Sequence, residues 1–237
     1  MTIEILYPEL CNLYGDRGNM QYLRHCVEAE FIETGLTDTP YFATHKVDMV
    51  YLGSMTEKSQ QRIIDRLRPY TARLQEMVEQ DVVFLLTGNA MEVFGRCIET
   101  ESGDQIEALG LFDVSAKRII PQRANSLFVG TFQEQQIVGY VSRFGHLSGV
   151  TEKNRLFKVE KGLGSSPDCP WEGFHTHHVF ATYLLGPLLV LNPDFTRYLL
   201  GLLGVKEAQI AFPDAVERAY RLRLEEYRRN IVFGEHK

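Results

Sequence analysis

The sequence predicts an α/β fold with a mostly parallel central sheet, helices on both faces and an added antiparallel β-hairpin region. Three observations carry this. Short apolar strands alternate with amphipathic helical stretches through the first ninety residues, DVVFLL (81–86) breaks abruptly into the polar turn TGNAMEVFG (87–95), and β-rich patterns take over from Lys117 to Arg143.

The elements follow in order. TIEILY (2–7) alternates β-branched and apolar residues and runs into the turn LCNLYGDRGN, and a helix is predicted from Met20 to about Thr34. In that turn Asp16 and Asn19 are placed to cap the helix. Val47 to Leu52 reads as a buried strand ending at Gly53, and Glu57 to about Gln80 as one long amphipathic helix with Ile63, Ile64, Leu67, Leu74 and Met77 on its apolar side. DVVFLL is apolar enough to be covered on both faces, as parallel strands are, so Gly88 falls at the carboxyl edge of the sheet, where ligands bind in open parallel sheets. KRIIPQRANSLFVGTF and QQIVGYVS are hairpin strands around QEQ. Val179 to Tyr183 is a further strand, Gly186-Pro187 a turn, Asn192-Pro193 a helix start, and the last helix ends near Asn230. The whole is expected as a single domain, 1–237, with a C-terminal helical extension from about 205.

Composition narrows the function. Apolar residues at 44% and charged residues at 24% describe a globular chain of 237 residues that can bury a full core. A net charge of −6 offers no basic footprint for nucleic acid or anionic membrane. YLLGPLLVL (183–191) is too short to span a bilayer and the first residues carry no leader pattern, so a cytoplasmic location is expected. The four cysteines, Cys11, Cys26, Cys97 and Cys169, have no metal-site spacing. His175 and His177 would share one face of a strand with His178 on the other, too few placed ligands for a metal site. No phosphate-binding glycine motif appears, and no cofactor is implied.

Several fragments together resemble one family: LYPELCNLYGDRGN (6–19), VDMVYLG (47–53), the strand and turn ending at Gly95, ALGLFDV followed by KR (108–118), and above all ATYLLGPLLVLNPDFTRYLL (181–200). The chain is similar to the cobyric acid synthase-like class I glutamine amidotransferases, most of all to the glutaminase subunit of lipid II isoglutaminyl synthase. The resemblance implies the flavodoxin-like three-layer fold of class I amidotransferases. It also implies hydrolysis of glutamine to ammonia for a Mur ligase-like synthetase that amidates a peptidoglycan precursor. That chemistry needs a thiolate on a strained strand-to-helix elbow, backbone N–H donors for the oxyanion, and a histidine base.

At the matching positions both reactive groups are missing. Counting back from Gly95, the nucleophile position is Gly88; the base position, immediately before Gly186-Pro187, is Leu185. Glycine cannot attack and leucine cannot carry a proton. Asn89 and Ala90 replace the elbow's glycines, SMTEKSQ (54–60) replaces the glycine-rich oxyanion loop after Gly53, and YVSRFGHL (140–147) replaces a glutamate-asparagine-histidine stretch. Gly53, Ser54, Gly88, Asn89 and Tyr140 are the candidate pocket residues. Thr87 lacks a base at the expected place. Cys97, expected in the helix after the elbow, and Cys11 are the alternative nucleophiles. The expectation is a catalytically inactive glutaminase-like subunit that binds or scaffolds a Mur ligase-like synthetase or an active homologue, with glutamine or a related small molecule as possible ligand. The alternative is an active glutaminase of cobyric acid synthase type with a relocated nucleophile.

Overall fold

The computed structural model describes residues 1–229. Strand β1 (Thr2–Leu6) is followed by α1 (Gly18–Cys26), β2 (Glu30–Thr34) and β3 (Met49–Leu52). Helices α2 (Glu57–Leu67) and α3 (Thr71–Glu79) lead to β4 (Val83–Thr87), then the four-residue α4 (Ala90–Val93). Next come β5 (Cys97–Glu99), β6 (Gln105–Glu107), β7 (Ser115–Arg118), β8 (Ala124–Phe132), β9 (Gln135–Arg143), β10 (Gly145–Ser148), β11 (Arg155–Lys161) and β12 (Trp171–Thr176). The chain continues through β13 (Val179–Thr182), β14 (Leu184–Leu185), α5 (Leu188–Leu191), α6 (Pro193–Leu202) and α7 (Pro213–Arg229).

Ten strands form one sheet in the order β14-β9-β8-β11-β12-β13-β4-β3-β1-β2. From β13 to β2 every neighbour is parallel, and from β12 to β14 every neighbour is antiparallel. The antiparallel region is therefore an extension of the same sheet and larger than a single hairpin. A separate four-stranded sheet, β10-β7-β5-β6, stands beside it. Strands β3, β4 and β13 are buried along their whole length, as the unbroken apolar runs MVYL and VFLL require.

Registers Leu6↔Leu52, Leu52↔Leu86 and Thr182↔Thr87 bring the carboxyl ends of β1, β3, β4 and β13 level. The following loops meet there. Across the join between the two halves, Phe195 of α6 packs edge-on against Phe132, Phe157 and Phe180, with ring centroids 5.3, 5.7 and 5.8 Å away. Each such pair adds about 0.5–1.5 kcal/mol beyond burial alone.

The structure redraws two elements. The stretch read as one helix from Met20 to Thr34 is a helix only to Cys26; Glu30–Thr34 is an edge strand with only Thr34 buried, so its apolar signal is weak. The long helix 57–80 breaks at Pro69 in the turn Arg68–Tyr70, because proline cannot donate within a helix interior. The helix start expected at Asn192-Pro193 is where α6 opens; the Asn192 side chain turns to β9 instead of capping, its Oδ1 accepting from Val138 N and its Nδ2 donating to Val138 O. The predicted end of the last helix, Asn230, lies outside the described residues.

Candidate functional site

The elbow is built by β4, Gly88 and α4. Gly88 has φ +61°, the left-handed conformation that a strained strand-to-helix turn demands and that glycine adopts at little cost. Gly95 closes the turn. A Cβ there would stand 2.6 Å from Val114 O, so only glycine lets α4 approach the second sheet.

A Cβ built on Gly88 would lie 2.5 Å from Ser54 Cβ and 3.3 Å from Leu185 Cδ2. Position 88 thus faces position 185 across the site, with Ser54 pressed against both. Leu185 is held by β14 on β9, opposite Tyr140, and is 2% exposed. At the two positions that the resemblance assigns to a thiolate and an imidazole, a bare backbone meets an aliphatic side chain.

Beneath the elbow lies a buried polar clamp that the sequence reading misplaced. Asp16 was expected to cap α1. Instead its fully buried carboxylate accepts from Ser54 N at 2.7 Å, Thr87 Oγ1 at 2.5 Å and Asn19 Nδ2 at 2.9 Å. Tyr51 OH donates to Asp16 O at 2.8 Å and stands 3.1 Å from Thr87 Oγ1. Burial raises the Asp16 carboxyl above its ordinary value, against the lowering pull of the Thr87 and Ser54 hydrogen bonds. Asn19 also does not cap; its Oδ1 accepts from Leu189 N, tying α1 to α5. Three loops are locked together by one carboxylate.

The loop after β3 is equally closed. Asn89 Oδ1 accepts from Met55 N at 3.0 Å while its Nδ2 donates to Met55 O at 2.9 Å. Ser54 Oγ donates to Leu13 O at 2.8 Å. The N–H groups of Ser54 and Met55, in the segment that replaces the family's oxyanion loop, are therefore both occupied by side chains of this protein.

Above this floor opens a cavity of about 310 Å³ lined by Leu13, Tyr14, Ser54, Met55, Thr56, Glu57, Gly88, Asn89, Arg123, Ser142, Arg143, Phe144 and Leu185. Of the candidate pocket residues, Ser54, Gly88 and Asn89 line it, together with Leu185. Gly53 lies under the loop, where a Cβ would strike Cys11 O at 2.5 Å, and Tyr140 donates to Asn125 Oδ1 at 2.9 Å outside the cavity. The stretch YVSRFGHL supplies Ser142, Arg143 and Phe144 instead. Arg123 was not anticipated: it lies inside KRIIPQRANSLFVGTF, read as one hairpin strand, whereas the chain leaves β7 at Arg118 and Arg123 stands just before β8. Its guanidinium lies 4.3 Å over the Phe144 ring, while Arg143 donates to Gly164 O at 2.6 Å and lies 4.3 Å over Tyr183.

Two more acids are buried behind the cavity. Glu92 accepts from Gln60 Nε2 at 2.7 Å and Tyr183 OH at 2.8 Å, and burial raises its carboxyl. Glu172 accepts from Thr182 Oγ1 at 2.6 Å and Tyr183 N at 2.7 Å, and burial pushes it up to about 7. Neither lines the cavity.

The alternative nucleophiles are elsewhere. Cys97 begins β5 rather than continuing the helix after the elbow, and its Sγ contacts Ser115 Oγ at 3.6 Å in the second sheet. Cys11 is 2% exposed under the Gly53 loop, and burial raises its thiol far above the ordinary range, disfavouring the thiolate. The histidine run does not form one strand face. β12 stops at Thr176, His177 turns left-handed with φ 49° beside Asp81, and His175 stacks on Phe180 with a 4.6 Å ring separation.

A sequence profile of the CobB/CobQ-like glutamine amidotransferase domain matches residues 2–192. The chain is 25% identical over 205 residues to the Staphylococcus aureus protein named Lipid II isoglutaminyl synthase (glutamine-hydrolyzing) subunit GatD, covering 84% of this chain and 83% of that one. It is 24% identical over 209 residues to the Streptococcus pneumoniae protein of the same name, covering 84% and 79%. Among solved structures, a glutamine amidotransferase from Thermotoga maritima shares the fold at a TM-score of 0.52 and 12% identity, over 97% of this chain and 90% of that one. These matches agree with the α/β amidotransferase-like architecture described above, and the chain belongs to the family of CobB/CobQ-like glutamine amidotransferase domains.

Proposed function

We propose that this chain is a catalytically silent amidotransferase-like subunit that binds or scaffolds a Mur ligase-like synthetase, or an active homologue, in amidation of a peptidoglycan precursor. The pathway rests on its likeness to two proteins named as subunits of lipid II isoglutaminyl synthase. Silence rests on one observation: Gly88 faces Leu185 across the elbow. In a hydrolase of related logic, removing the nucleophile alone lowers the rate about a million-fold. The occupied Ser54 and Met55 amides support the same reading, since an oxyanion would have to displace Asp16 and Asn89 from them.

The cavity over Gly88 is proposed to take a small molecule without turning it over. No resident cofactor is part of the proposal. All four cysteines are free thiols and no helix among the described residues is long and apolar enough to cross a membrane; both support a cytoplasmic site of action.

An electrophilic glutamine analogue tests silence at the level of the protein itself. Intact-mass measurement after incubation should show no adduct, with or without the synthetase. Stoichiometric labelling of Cys11 or Cys97 would instead establish a relocated nucleophile.

A further inference from the structure

The cavity's polar groups are unevenly spent, and that imbalance identifies a ligand class. At the floor, Asn89 and the Met55 backbone satisfy each other, Ser54 N is held by Asp16 and Ser54 Oγ by Leu13 O. What remains facing a guest is the bare Gly88 backbone and the Leu185 side chain. A carboxamide entering here would leave its water partners and find these donors already used. An aliphatic group would lose nothing.

The other end of the cavity is different. Arg123 is half-buried, stacked on Phe144, and makes no ion pair among the described residues. A guanidinium seated on an aromatic face, partly screened from water, presents a planar donor fork to a carboxylate. Glu57 at the first turn of α2 is the lining carboxylate, against the two guanidiniums of Arg123 and Arg143. The cavity therefore has a cationic end and an apolar end.

We infer that this cavity binds a compact monocarboxylate with an aliphatic body, its carboxylate on Arg123 and its apolar end over Gly88 and Leu185, in preference to glutamine. The inference rests on the silent-site reading and names the ligand of that same site.

Calorimetric titration of the full chain with isocaproate, isocaproamide and L-glutamine tests it. The acid should bind at least about tenfold more tightly than either amide, since the amide of one lacks the ion pair and the amide of the other meets the spent floor. R123Q should weaken isocaproate about tenfold while leaving the melting temperature unchanged. L185N should weaken isocaproate and strengthen glutamine. Equal binding of acid and amide, tighter binding of glutamine, or no saturable binding of isocaproate would each overturn the assignment. Glutamine hydrolysis would refute the silent-site reading, whereas a silent protein that prefers glutamine would refute only the ligand.

Discussion

Replacing Gly88 with alanine puts the smallest side chain where the family's chemistry would begin. The residue's φ of +61° costs an L-residue about 1–2 kcal/mol. The new Cβ would lie 2.5 Å from Ser54 Cβ and 3.2 Å from Ser54 Cα, closer than carbon atoms approach without displacement. Ser54 has little room to give, because its N–H is held by Asp16 and its hydroxyl by Leu13. Overpacking at a rigid site adds about 1–3 kcal/mol, so the expected loss is about 3 kcal/mol in total. For a domain of this size that lowers Tm by roughly 10 °C. Calorimetric unfolding measures it. Ser54→Gly in the same background removes the tightest contact and should recover about half of the loss, leaving the backbone strain. A Gly88→Ala melting point within about 2 °C of wild type, or a Ser54→Gly double variant that recovers nothing, would refute the packing of the elbow described here.

Other outcomes follow from the buried polar groups. Thr87→Val removes a donor from the buried Asp16 carboxylate and should cost about 1–3 kcal/mol in denaturant titration. Asn89→Ala frees both the N–H and the carbonyl of Met55, so amide exchange at Met55 should accelerate while that of β4 stays slow. Glu172 is raised in the folded state from its ordinary value of 4.5 to about 7, so folding binds a proton between those limits. Stability from this group is full below pH about 4.5 and is lost as pH rises through about 7, by about 3 kcal/mol. Glu172→Gln should flatten that part of the stability–pH curve; an unchanged slope would show that the carboxyl is not held neutral. Cys11 should resist alkylation in the native protein at neutral pH and react fully on unfolding, because it is buried and its thiol raised.

The parallel half of the fold was legible because doubly covered strands such as MVYL and VFLL must be apolar throughout, a signal local in the chain. The edge strand Glu30–Thr34 was not, since four of its five residues are not buried and nothing forces alternation. Gly95 stands out in the sequence for a physical reason, since the close approach to Val114 O tolerates no side chain. Asp16 was misjudged for the opposite reason. A polar turn before a helix looks like a cap, whereas its partners Ser54 and Thr87 lie 38 and 71 residues away and only the folded chain brings them together. Arg123 was missed likewise, because its place in the cavity depends on how β8 pairs with β9 and β9 with β14 at the sheet's far side. The segment after Gly139, from which only Tyr140 was expected in the pocket, furnishes Ser142, Arg143 and Phe144 to the cavity instead.

The proposed catalytic silence can be tested directly. The most direct measurement is release of glutamate from glutamine by the purified chain, alone and mixed with its proposed synthetase partner, against a buffer blank. No release above the blank is expected in either condition. Saturable turnover that survives purification and disappears on substituting Cys11 or Cys97 would contradict it.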